Sequence, residues 1–127
     1  MRVYLAGPIF QCEDHECVDW REEAKKRLNG IEVIDPIERD YRGKTDENHE
    51  KLVEEDKTSI DASDIVLVNH VKPSVGTAME VLYAWERNKH VVIVSPNKEI
   101  SPWLIYHSHE ICDSLADAAT HIQSLSS

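Results

Sequence analysis

The chain has 127 residues, 41% of them hydrophobic, which suits one core and is too little for two ordinary ones; a single domain over residues 1–127 is expected. Its 24 acidic against 14 basic residues give a formal net charge of −10, which repels a polyanionic backbone and leaves no basic stripe for DNA, RNA or anionic lipid. The expected partner is a small molecule. No apolar run approaches the roughly 20 residues of a membrane span, and the sequence enters a strand without a basic leader, so a cytoplasmic protein free of membrane is expected.

Arg2 to Ala6 reads as a strand ended by Gly7 and Pro8, and a helix with apolar Val18, Ala24 and Leu28 is predicted from about Glu16 to Asn29, closed by Asn29 and Gly30. The intervening Cys12, Glu13, Asp14, His15, Glu16, Cys17 gathers metal-capable side chains, but its spacing fits no standard zinc pattern, and a solvated loop leading into the helix is the preferred reading. With Cys112 the cysteines number three, so they cannot all pair within one chain and are read as thiols. Ile31 to Ile34 is a second strand stopped by Asp35 and Pro36. Glu38 to Asp46 follows as a polar loop with Tyr41 and Gly43 that could cover a site.

A charged helix with a thin apolar stripe of Leu52, Val53 and Ile60 is predicted from about Glu47 to Ala62, and the third strand, Ile65 to Val68, follows at once. Pro73 to Glu80 then turns into a helix carrying Val81, Leu82, Ala84 and Trp85. This puts Glu80 in the opening helical turn directly after a buried strand. The helix dipole favours an ionised carboxylate near a helix start, so Glu80 is expected to be charged at neutral pH. Val91 to Val94 is a fourth strand; Trp103 to His109 reads as a short helix or turn, Glu110 to Cys112 as a brief last strand and Ser114 to Leu125 as a closing helix.

Strands alternating with helices imply right-handed crossovers and a parallel sheet covered on both faces. The simplest solution is an α/β flavodoxin-like three-layer sandwich with five strands in the order 2-1-3-4-5. Strands one and three are then neighbours, so Tyr4 to Pro8 and Asn69 to Glu80 meet at the carboxyl edge where such sheets bind ligands. Ile9 and Phe10, directly after the first strand, are candidates to line a base pocket. Trp20, Trp85 and Trp103 are read as packing residues.

The pairing of Tyr4, Leu5, Ala6, Gly7, Pro8 with Gly76, Thr77, Ala78, Met79, Glu80 resembles the nucleoside 2-deoxyribosyltransferase family, over most of the chain. That resemblance implies a retaining displacement at the anomeric carbon of a 2-deoxyribosyl group. Glu80 would be the nucleophile that forms a glycosyl ester, Asp56 the second acidic residue that protonates the departing base, and Tyr4 the hydroxyl that orients Glu80. No cofactor is expected, and no metal, since no credible set of ligands adjoins this crevice in the sequence. The partners are a deoxynucleoside or deoxynucleotide and a free nucleobase, bound near Gly7, Pro8, Ile9, Phe10, Ser74 and Gly76.

Many nucleoside-processing members carry an aspartate where this chain has Ser74. Serine there resembles a branch that hydrolyses 2'-deoxynucleoside 5'-monophosphates, since a neutral hydroxyl beside the amides of Val75 and Gly76 tolerates a phosphate. Against this, that branch tends to have a serine after the first-strand glycine, where this chain has Pro8. Ser108 falls near the residue that members present to a neighbouring subunit, which implies a homodimer or higher homo-oligomer with shared active sites. The bland readings stand beside these. An acid near a helix start is often there for the dipole alone, and Asp56 stands among Glu54, Glu55 and Lys57 on what could be a solvated face. The sequence thus leaves base transfer, hydrolysis, and a binding-only nucleotide sensor on the same fold as the readings to separate.

Overall fold

A computed structural model describes residues 1–9, 11–39, 45–97 and 99–126. Strands and helices alternate as β1 (Arg2–Ala6), α1 (Asp14–Arg27), β2 (Glu32–Ile34), a 3-10 helix (Pro36–Arg39), α2 (Thr45–Asp61), β3 (Ile65–Asn69), α3 (Val75–Glu86), β4 (His90–Val94), α4 (Pro102–Tyr106), β5 (Glu110–Cys112) and α5 (Leu115–Ser126). All pairings are parallel and the order is β2-β1-β3-β4-β5, so the expected α/β sheet is present with helices on both faces. Phe10, Tyr41 and Gly43, to which sequence reasoning gave pocket and covering roles, lie outside the described residues.

Period-two alternation divides the apolar strand residues between the two layers. Val3, Leu5, Ile65, Leu67, Val92 and Val94 pack with Ala24 and Leu28 of α1 and with Ala118, Ala119 and Ile122 of α5. Tyr4, Ala6, Val66, Val68, Val91 and Ile93 face the other way, onto Ile60 of α2, Val81 and Ala84 of α3 and Leu104 of α4. Each fully buried aliphatic side chain contributes about 1.5–3 kcal/mol. The same alternation that builds this layer sends Tyr4 toward α2 and α3.

At its carboxyl end β1 outruns β2. β1 stays in register with β2 only through the Tyr4 and Ile34 pair, whereas it follows β3 as far as Ala6 and Val68. Beyond Ile34 come Asp35 and Pro36, and a proline has no N–H to extend the ladder. β1 instead ends at Gly7, where an added Cβ would stand 2.7 Å from Cζ2 of Trp20 on α1. Only glycine permits that approach.

Candidate active site

Glu80 lies in the second turn of α3, because the helix begins at Val75 and its first turn holds no acid. The expectation of a first-turn position is corrected accordingly, since dipole stabilisation fades beyond the first turn. Thr77, Val81 and Ala84 form the buried stripe of α3, and helical spacing brings Glu80 onto the same side, half-buried over the sheet. Its Oε2 accepts a hydrogen bond from the Tyr4 hydroxyl across 76 residues of sequence.

α2 completes the cluster. Leu52, Asp56 and Ile60 recur at i, i+4 and i+8 on its inward side, so Asp56 faces the sheet rather than water, with 20% of its side chain exposed. Arg39 of the 3-10 helix donates from Nη2 to Oδ1 of Asp56 at 2.6 Å and from Nη1 to Ser59 at 3.0 Å, while its Nε lies 3.1 Å from Glu55. Tyr4 and Asp56 also act on each other electrostatically, the hydroxyl favouring the Asp56 carboxylate and that charge holding the phenol protonated. Glu80, Asp56 and Tyr4, chosen from sequence, are thus brought together.

Burial sets the electrostatics. It pushes the Glu80 carboxyl up to about 8, opposed by the Tyr4 hydrogen bond and by Arg21 and Arg39, and reinforced by the charge of Asp56. Burial also raises Asp56, with Arg39 pulling the other way. Tyr4 is held far above its ordinary range by burial first and then by Glu80 and Asp56, so it remains a proton donor. Desolvation thus works against the ionised Glu80 that the helix dipole was expected to favour.

Gly7 and Pro8 are buried at the end of β1, with half-buried Ile9 next to them. Ser74 caps α3, its hydroxyl accepting from the Thr77 amide at 3.3 Å, and Gly76 in the first turn has open space where a Cβ would stand. Ser108 is not brought to this crevice. It follows α4, its hydroxyl donates to Ile105, and the adjacent His109 pairs with Val91 near the start of β4, at the opposite edge of the sheet. Trp103 is 74% exposed and is corrected from packing residue to surface residue, whereas Trp20 packs under Gly7 and Trp85 sits in a ring cluster with Tyr106, His107 and His109.

Sequence reasoning missed Arg21. This arginine of α1 is fully buried, donates to the carbonyls of Leu5 and Gly7 at 3.2 Å each, and pairs with buried Asp35 at 2.9 Å. A lone charged position within a charged helix gives no sign of facing inward; the neighbouring buried aspartate that answers it was the available clue. Among the described residues no three His, Cys, Asp or Glu side chains converge as metal ligands, and no helix is long and apolar enough to cross a membrane.

A family model described as nucleoside 2-deoxyribosyltransferase matches residues 3–115, spanning the Tyr4 to Pro8 strand end, Asp56 and Glu80. The chain belongs to the nucleoside 2-deoxyribosyltransferase family. Members of that family are glycosyl transferases or N-glycosidases acting on deoxynucleosides or nucleotides, so the chain is an enzyme of N-glycosidic bonds. Among solved structures it resembles a 2-deoxyribosyltransferase from Bacillus psychrosaccharolyticus, with TM-score 0.76, 24% identity, and 94% of this chain and 90% of that one covered. A conserved protein from Enterococcus faecalis V583 superposes with TM-score 0.77 at 15% identity, covering 98% of each chain. The CMP N-glycosidase BcmB of Clostridium botulinum matches with TM-score 0.59 at 18% identity, covering 97% of this chain and 99% of that one. At these identities the three share the fold. Sequence comparison with curated proteins finds no match.

Proposed function

We propose that this family member cleaves the N-glycosidic bond of 2'-deoxynucleosides or their 5'-monophosphates by retaining displacement and passes the sugar to an acceptor base. The observation that carries the reading is the hydrogen bond from Tyr4 to Glu80 near Asp56 at the carboxyl end of β1. A Glu80 carboxylate oxygen attacks C1' while the C1'–N bond breaks, and the leaving base takes its electron pair and a proton from Asp56. The Tyr4 hydroxyl occupies one carboxylate oxygen of Glu80 and leaves the other to attack. In the second half an acceptor nitrogen attacks C1', the ester bond breaks, Glu80 recovers its charge and Asp56 takes up the acceptor's proton.

Hydrolysis of 5'-monophosphates is the second reading, and the start of α3 favours it. A capping hydroxyl at Ser74 and a side-chain-free Gly76 offer a neutral helix N-terminus that a phosphate can approach closely. Incubation with deoxynucleosides and with their monophosphates, each with and without free adenine, separates the outcomes. Base exchange supports transfer, release without exchange supports hydrolysis, and ligand-induced thermal shifts without product support a sensor and overturn both. Mass spectrometry of the denatured mixture tests the intermediate, which predicts a deoxyribosyl adduct on the peptide carrying Glu80.

We place Ser108 in a shared site of a homodimer or higher oligomer in the cytoplasm. Support comes from its position outside its own crevice and from the exposed apolar residues Val75, Met79 and Leu82 of α3 and Trp103, Ile105 and Tyr106 of α4.

A further inference from the structure

We propose that Arg21 is a positioning residue for Glu80: its guanidinium straps the end of β1 that carries Tyr4 and holds a fixed cation at that strand end. This rests on the assignment of Glu80 as nucleophile and adds a device on the far side of the sheet that the site description leaves without a task.

The strap follows from how β1 ends. Past Tyr4 the strand has lost β2 as a neighbour, and Pro36 offers no amide, so carbonyls there need another donor. Arg21 reaches from α1 and supplies two, from Nη1 to Leu5 and from Nη2 to Gly7. The fork of a guanidinium bridges carbonyls two residues apart, which an ammonium on a single stem does not. Tyr4 is the residue before the first of these, so the strap fixes the strand from which the hydroxyl reaches Glu80.

Charge is the second part. Tyr4 of β1 hydrogen-bonds Glu80, and the charges that act on it come from Asp56 of α2, Arg39 of the 3-10 helix and Arg21 of α1. Arg39 is largely spoken for by Asp56 and Glu55. Arg21 is answered by Asp35, but Asp35 is shared with Lys25 at 3.0 Å, and Lys25 in turn meets Glu38 and Glu22 at the surface. The buried Arg21 and Asp35 pair is neutral as a whole, and with Lys25, Glu22 and Glu38 the network carries one net negative charge, so what favours an ionised Glu80 is the attraction of the Arg21 guanidinium itself. It acts on a carboxylate in a poorly solvated place, where such a charge is felt strongly.

The test uses 13C-carboxyl NMR of Glu80 as a readout independent of turnover, together with kcat/KM against pH for an activated 2'-deoxyribosyl donor whose leaving group needs no proton. Arg21→Met should move the Glu80 midpoint upward by about one unit, with kcat at pH 7 roughly tenfold below that of Arg21→Lys and the two variants converging near pH 9, where only the loss of the fork remains. Arg21→Lys keeps the charge but loses the fork, so the midpoint should stay and kcat fall with KM unchanged. Asp35→Asn, similar in shape, removes the answering charge and should move the midpoint down, and it decides the matter where Arg21→Met does not fold. A folded Arg21→Met or Asp35→Asn protein with an unmoved midpoint, or a loss equal at every pH, overturns the proposal. Absence of turnover in the wild type with a midpoint that still moves would instead remove the functional reading and leave the Arg21 coupling intact.

Discussion

Burial asks Glu80 to be neutral, while attack on a sugar needs it ionised, and that conflict has measurable consequences. With its carboxyl pushed up to about 8 from an ordinary 4.5, the folded chain holds a proton that the unfolded chain has released over that interval. The resulting stabilisation is complete below pH 4.5 and is lost as pH rises through 8. Glu80→Gln retains an acceptor for Tyr4 without a charge to desolvate. It should abolish turnover, on the order of a thousandfold or more, yet melt higher than wild type at pH 8, with the difference shrinking toward pH 5. At about 3–5 °C per kcal/mol the divergence is readable by thermal denaturation, and a melting difference that is the same at both pH values would argue against a buried proton on Glu80. For natural substrates the bell in kcat/KM belongs to the Glu80 and Asp56 pair together. With an activated donor the proton from Asp56 is dispensable and Glu80 alone is read. There kcat/KM should fall about tenfold per unit below pH 8, and a profile already flat at pH 6 would show that the free-protein carboxyl is ionised.

Between elements, the 3-10 helix grips α2 through Arg39, Asp56, Glu55 and Ser59, and β4 is tied to β5 and α5 through histidines. Asp56→Asn should slow release of poor leaving bases by about 10²–10⁴ and of activated ones far less, measured on a series of donors; equal losses across the series would deny Asp56 a proton-delivery role. At the other edge, Nδ1 of His109 accepts from the Val91 amide at 3.0 Å, and Nε2 atoms of His90 and His121 meet at 3.0 Å. Burial first, then His109 and His121, hold His90 below its ordinary 6.5. Its contribution is therefore present above that value and lost as pH falls, so His90→Gln should flatten the loss of melting temperature between pH 7 and 5; an unchanged slope would discount this tie. The strands were legible because β-branched runs ended at turn formers, and the last, Glu110 to Cys112, was read with the same limits as found. The helix starts were less so. α1 begins at Asp14, held by a reciprocal cap between Glu13 and Glu16, two residues before the sequence reading, and the start of α3 at Val75 leaves Glu80 a turn deeper than its dipole argument required. Arg21 and the exposure of Trp103 depend on what packs against a helix from elsewhere in the chain, which periodicity does not encode.

For the molecule as a whole, the question is how a chain of net charge −10 presents so much apolar surface along α3 and α4. Val75, Met79 and Leu82 stand at i, i+4 and i+7 along α3, and α4 adds Trp103 and Tyr106, more than 70% exposed each and joined to α3 through the Tyr106 contact with Trp85. Were this face to meet its own copy, association would bury apolar area against like-charge repulsion, so sedimentation velocity should show tighter self-association at about 0.3 M salt than at 0.02 M. Shared sites make a stronger demand. Under two-fold symmetry a Glu80→Gln chain mixed with a Ser108→Ala chain forms heterodimers in which one site carries both changes and the other carries neither. Random exchange makes half the dimers mixed, so two impaired preparations should recover about a quarter of wild-type activity on mixing. Full activity in Ser108→Ala alone would remove Ser108 from the site. An impaired Ser108→Ala protein that recovers nothing on mixing with Glu80→Gln, under conditions where subunits demonstrably exchange, would confine each crevice to its own chain.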